Sequence, residues 1–134
     1  MTRILIPLLL SIFVVAAVSP LLAHHGRGAT YDIKQVVPLK GTVTQLYWRN
    51  PHITIFLDVK GSDGKVTNWT IEHSPPIRLT RMGYNKETVH PGMEVTIYVN
   101  PGNKGMPVGL LQKVILPDGK EVFNRADGDL DPLD

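Results

Sequence analysis

The sequence predicts an all-β domain: a small OB-like barrel of five to six strands with one short helix between strands three and four. Three observations predict this fold: short segments that alternate apolar and polar residues, glycine- and proline-containing turns between them, and a single helical segment after the third strand. Five strands with this helix placement is the order of an OB barrel. Closing the sheet would also remove exposed strand edges. A small open sandwich is the alternative architecture.

Each strand is predicted from its alternation and from the turn that ends it. Strand two is the clearest, because apolar side chains occupy every second position from Ile53 to Val59. Ser74, which precedes two prolines, is expected to cap the helix. The predicted elements are strand one from Leu39 to Trp48, strand two from His52 to Val59, strand three from Val66 to Glu72, the helix from Ile77 to Met82, strand four from Met93 to Val99, strand five from Leu110 to Leu116 and strand six from Lys120 to Phe123.

The start of the chain has the order of a secretion signal. Arg3 precedes an uncharged run that ends at Val18, and Ser19-Pro20 and a terminal Ala23 follow. We expect cleavage after Ala23. The alternative is an uncleaved membrane anchor, because about 20 apolar residues suffice to span a bilayer. The expected organisation is a signal peptide at 1–23, a lead-in at 24–38, the barrel at 39–123 and an acidic tail at 124–134.

Composition narrows the function classes. The secretion signal leads us to expect a periplasmic or secreted protein of a bacterial envelope. The chain has no cysteine, so neither a disulfide nor a lipid on an N-terminal cysteine is available, and stability must come from a packed core. Charge is almost balanced, with 14 Lys and Arg against 12 Asp and Glu. The sequence lacks the basic stripe that is typical of nucleic-acid-binding proteins. The sequence contains no phosphate loop, nucleophile elbow or paired catalytic carboxylates, so we do not expect an enzyme.

Three histidines form the strongest candidate site. Cleavage after Ala23 would make His24 and His25 the first two residues, and a terminal amine with the imidazole of the same residue can chelate a metal ion. His52, which follows Asn50-Pro51 at the start of strand two, is the best third ligand. Amine and imidazole nitrogens suit copper(II), so we expect a copper site resembling a histidine brace. A cut before Ala23 would instead give Ala-His-His, a short N-terminal copper motif.

A metal-free function is the alternative. Trp48, Asn50 and Phe56 lie around the same predicted turn and could form a face that binds a partner protein or a small ligand. A mononuclear copper enzyme is a third hypothesis, which the sequence favours least because it indicates no substrate cleft. His73 shares a face with Trp69 and is expected at the edge of the core, whereas His90 is expected in an exposed loop.

The chain also resembles an uncharacterised family of small exported bacterial proteins. Its most specific element is Trp48-x-Asn50-Pro51-His52. The other matching segments are Ala23-His24-His25, Leu39-Lys40-Gly41-Thr42-Val43-Thr44, Asp63-Gly64-Lys65-Val66-x-Asn68-Trp69, Pro91-Gly92 and Leu116-Pro117-Asp118-Gly119-Lys120. Gly26 departs from the pattern, in which serine follows the histidine pair. The resemblance implies a secreted or periplasmic β-barrel domain and supplies no reaction.

Overall fold

The computed structural model describes residues 27–125 of the chain. The chain divides into two compact units, residues 1–30 and 31–134, and the described part of the first is a 3-10 turn at Arg27–Ala29. The second unit contains six strands and one α-helix within the described residues. These are β1 (Val37–Tyr47), β2 (Thr54–Lys60), β3 (Val66–Glu72), α1 (Pro76–Arg81), β4 (Glu94–Pro101), a 3-10 turn (Asn103–Gly105), β5 (Val108–Ile115) and β6 (Glu121–Val122).

The first five strands close into a barrel. β1 pairs antiparallel with β2 and β4, β2 with β3, and β4 with β5. The parallel pairing of β3 with β5, centred on Ile71 opposite Gly109, closes the ring. β6 adds a short antiparallel strand to β5. The predicted barrel, its extra strand and the single helix between strands three and four are therefore confirmed.

A bulge in β1 decides which of its side chains enter the core. Val43 pairs with Leu57, but Gln45 rather than Thr44 pairs with Phe56, so Thr44 is the extra residue. A strand without this bulge would place Leu46 on the face opposite Val43. With it, both Val43 and Leu46 pack in the core, and Gln45 is exposed.

The core is filled by the inward residues of all five barrel strands together with Val122 of β6 and Phe123, which follows it. Ile53, Ile55 and Leu57 are fully buried, as the alternation in strand two predicts. Phe123 is also fully buried, although it follows β6 and has a positive φ of 55°. Its ring contacts three aromatic rings, which belong to Trp48, His73 and Tyr84. The segment after β6 therefore closes one end of the barrel.

The lead-in before β1 is bound to the barrel by specific hydrogen bonds. Tyr31 is buried and forms a bridge with Gly102. The Asp32 backbone N–H donates to the Pro101 carbonyl at 2.8 Å. The buried Asn100 side chain donates its Nδ2–H to the Gln35 carbonyl at 2.6 Å. From Tyr31 onward the chain is thus fixed beside the end of β4.

Most predicted element bounds differ from the observed ones by one or two residues, and the differences at β1 and at the start of α1 have a clear cause. β1 begins at Val37 rather than at Leu39, because its pairing with β4 starts at Val37 opposite Val99. Ser74 does not cap α1: Pro75 occupies the cap position without a side-chain hydrogen bond, and the buried Ser74 hydroxyl has no hydrogen-bond partner among residues 27–125. The Ser74 carbonyl instead accepts the Ile53 N–H at 3.2 Å and extends the pairing of β2 with β3.

Candidate binding site at the Trp48–His52 turn

The turn between β1 and β2 carries the residues that the sequence singled out. β1 ends at Tyr47, and regular pairing of β2 with β3 begins at Thr54. Pro51 follows a cis peptide bond and has no N–H to donate. The backbone hydrogen bond from the His73 N–H to the Ile53 carbonyl, at 3.1 Å, holds the far side of the turn on β3. The turn is therefore anchored by strands on both sides while its tip stays outside the sheet.

His52 is half-buried, and its ring forms no hydrogen bond or ion pair with the described residues. The other two described histidines differ. His73 is buried; its Nδ1 accepts the Ser74 backbone N–H, so its Nε2–H donates to the Phe123 carbonyl at 3.0 Å. His90 is exposed, and its Nδ1 lies 3.1 Å from the Pro91 carbonyl oxygen. Of these three rings, only the His52 ring has neither nitrogen bound to a described residue.

A cation–aromatic stack lies on the outer surface of β1 and β2. The Arg49 guanidinium lies 4.5 Å from the centre of the Tyr47 ring. The Tyr47 ring in turn meets the Phe56 ring edge to face, with centroids 5.1 Å apart. Tyr47 is 39% exposed and Arg49 is exposed. Arg49 forms no ion pair with the described residues, so its N–H donors face solvent.

The three residues predicted as a ligand face take different positions. Phe56 is half-buried on the outer face and supports the stack with Tyr47. Asn50 is exposed at the tip of the turn, and its side chain bonds to no described residue. Trp48 instead packs toward the core against Phe123, with ring centroids 6.3 Å apart. Trp48 is placed inward because the bulge at Thr44 shifts the alternation by one position.

His24 and His25 lie outside the described residues. Between residues 27 and 125, no group of three or more His, Cys, Asp or Glu side chains is arranged to hold a metal ion. The first residue of the barrel unit, Tyr31, has a fixed place: its hydroxyl donates to the Glu72 carboxylate at 3.0 Å. Glu72 pairs with Thr54, which is the second residue after His52.

Arg49 and Phe123 both contribute to the surroundings of the Trp48–His52 turn, and neither was predicted from the sequence. Arg49 precedes the Asn-Pro turn, and its sequence position alone indicates only an exposed charged residue. It follows Tyr47 by two residues, however, which places both side chains on one face of an extended chain. That spacing was the available signal. Phe123 lies before an acidic segment, and no periodicity indicates that its ring closes the barrel.

Within the described residues, no helix has the length and apolar character required to cross a membrane. Searches of curated proteins and of solved structures found no match to this chain. A family model matches most of the sequence, including all of β1 to β4 and the Trp48–His52 turn. The chain belongs to a family of unknown function, DUF6152, whose model matches residues 12–112.

Proposed function

We propose that this protein is an exported binding protein that holds copper(II) through its first two residues after signal removal, His24 and His25, together with His52 of the barrel. The single observation that carries the proposal is the state of His52. Its ring lies beside an anchored turn and forms no hydrogen bond or ion pair within residues 27–125, so it can bind an ion without losing a contact to that part of the chain.

The chemistry of the three residues fits copper(II). A terminal amine and two or three imidazoles give a nitrogen-rich donor set, which copper(II) binds more tightly than the other divalent first-row metals do. The amine and the imidazoles bind only in their deprotonated forms. Copper affinity should therefore fall as the pH is lowered.

Chain length allows the three residues to meet. The Tyr31 hydroxyl is bound to the Glu72 carboxylate. Glu72 pairs across the strands with Thr54, which follows His52 by two residues. His24 precedes Tyr31 by seven residues, and extended chain covers about 3.3 Å per residue, so it can lie up to about 23 Å from Tyr31. Two residues of strand span about 7 Å. The distance from the Tyr31 anchor to His52 is thus short compared with the length of chain available.

Copper(II) titration of the exported protein tests the proposal, after mass spectrometry has identified its first residue. We expect His24→Ala and His52→Ala each to weaken binding by about tenfold or more, because each removes one nitrogen donor. His90→Ala is the matched control, since His90 is exposed and lies in the loop before β4. Unchanged affinity in both His24→Ala and His52→Ala would contradict a shared site.

A metal-free partner face is the second candidate, and the stack of Arg49 on Tyr47 favours it. Ring contact restricts the guanidinium while leaving its donors available, which is the arrangement that binds carboxylate or phosphate groups bidentately. In this alternative Asn50, Phe56 and Arg49 contact an acidic partner. Arg49→Lys should then weaken capture of that partner, since lysine retains the charge but not the planar fork.

A further inference from the structure

A second polar site lies on the outer surface of the barrel, where β1 changes its neighbour. The first half of β1 is paired with β4 and the second half with β2, and only Thr42 is paired with both. A groove with a volume of about 650 Å³ opens there. Its lining consists of Lys40, Gly41, Thr42, Thr44, Asp58, Lys60, Val66 and Glu94.

Gly41 lines this groove at a point where β1 passes very close to β2. A Cβ atom at this position would lie 2.2 Å from the Asp58 carbonyl oxygen, which is backbone and has no room to rotate away. Only glycine therefore allows β1 to pass this close to β2 while turning toward β4.

The charges in the groove are separated into a basic and an acidic end. Thr42 pairs with Glu94 on one side and with Asp58 on the other, so the two carboxylates lie at one level of the sheet. Lys40 precedes Thr42 by two residues in β1, and Lys60 follows Asp58 by two residues in β2, which runs antiparallel to β1. Both lysines are thus displaced the same way along the strands, by about 7 Å.

These charges are not neutralised by one another. No ion pair or hydrogen bond of the described residues involves the side chain of Lys40, Lys60 or Glu94. Asp58 accepts one hydrogen bond, from Asn68 Nδ2 at 2.9 Å. The groove therefore presents two ammonium groups at one end and carboxylate oxygens at the other, with Thr42 at the level of the carboxylates and Thr44 beyond them.

We propose that this groove binds a small zwitterion whose anionic and cationic groups are about 7 Å apart, the span of an extended dipeptide. The anionic group contacts Lys40 and Lys60, and the ammonium group contacts Glu94 and Asp58. This site is separate from the Trp48–His52 turn and does not depend on copper binding. Its net charge of zero, with two lysines against two acidic residues, favours a zwitterion over a simple anion.

Titration of the ¹⁵N-labelled protein with L-alanyl-L-alanine at low ionic strength tests this site. We expect saturable shifts of the Gly41, Thr42 and Thr44 amide signals. N-acetylation of the dipeptide removes its ammonium group and amidation removes its carboxylate; each should weaken binding by about tenfold, the loss of one charge-assisted contact. The amide spectrum itself reports whether a variant remains folded.

Two groove variants and one control complete the experiment. Lys60→Gln and Glu94→Gln should each weaken dipeptide binding by about tenfold, whereas Lys65→Gln should not, because Lys65 lies in the β2–β3 turn and pairs with Asp63. Three results would overturn the proposal: no saturable shift at these amides, equal binding of the acetylated or amidated dipeptide, or equal weakening by Lys65→Gln.

Discussion

Removal of the Phe123 ring should be among the most destabilising single changes in this protein. The side chain is fully buried and contacts the rings of Trp48, His73 and Tyr84 at centroid distances of 6.3, 6.2 and 5.1 Å. Phe→Ala changes in protein cores cost about 3–5 kcal/mol. Because three ring contacts are lost together, we expect Phe123→Ala to lower the free energy of unfolding by about 4 kcal/mol.

The backbone at Phe123 predicts an unusual order of substitutions. Its φ of 55° lies in the left-handed region, which costs a residue with a Cβ atom about 1–2 kcal/mol. Alanine retains that cost, whereas glycine does not. Phe123→Gly should therefore be less destabilising than Phe123→Ala by about 1 kcal/mol, although glycine is the more flexible residue in the unfolded chain.

Equilibrium urea unfolding, followed by tryptophan fluorescence and near-ultraviolet circular dichroism, measures both effects. Ile77→Ala is the control, because Ile77 is 57% exposed and its truncation should change stability by less than about 0.5 kcal/mol. A loss below about 1 kcal/mol in Phe123→Ala would refute the role of this ring in closing the barrel. A glycine variant less stable than the alanine variant would refute the argument from backbone strain.

Two further predictions concern the barrel and its lead-in. Gly41→Ala should lower the free energy of unfolding by about 2 kcal/mol or more, because the new Cβ atom would meet the Asp58 carbonyl. Gly28→Ala is the control, because a Cβ atom there meets nothing within 4 Å. Equal unfolding midpoints for the two variants would contradict the close approach of β1 to β2. Asn100→Asp replaces the Nδ2 donor to the Gln35 carbonyl with an acceptor and should cost about 2 kcal/mol. Hydrogen exchange of residues 32–36 should accelerate in Asn100→Asp, and unchanged exchange would show that this bond does not hold the lead-in.

The barrel could be predicted from the sequence because its strands carry their own signals. Alternation from Ile53 to Val59 matches the buried and outward faces of β2, and the turn residues around Asp63-Gly64 match the β2–β3 connection. The helix was placed correctly, but its cap was not. Two consecutive prolines set the backbone there, so the Ser74 carbonyl joins the sheet and its hydroxyl is left buried.

The remaining features depend on long-range contacts, which local patterns do not encode. The bulge at Thr44 turns Trp48 toward Phe123, a residue 75 positions later in the chain. Tyr31 is buried because it meets Gly102 and Glu72, and its own neighbours in sequence give no periodicity. His52 could be identified as a candidate ligand from its residue type and its place after Asn50-Pro51. Arg49 could not, because its role depends on stacking against Tyr47 in the folded protein.

Electron paramagnetic resonance of copper(II) bound to the exported protein shows whether His52 is a ligand of the ion. With histidines labelled by ¹⁵N, we expect nitrogen couplings from the amine and ring of His24 and from the rings of His25 and His52, together with the loss of one imidazole coupling in His52→Ala. Identical spectra for the wild-type protein and His52→Ala would show that the barrel histidine does not bind the ion, and would contradict the proposed copper site.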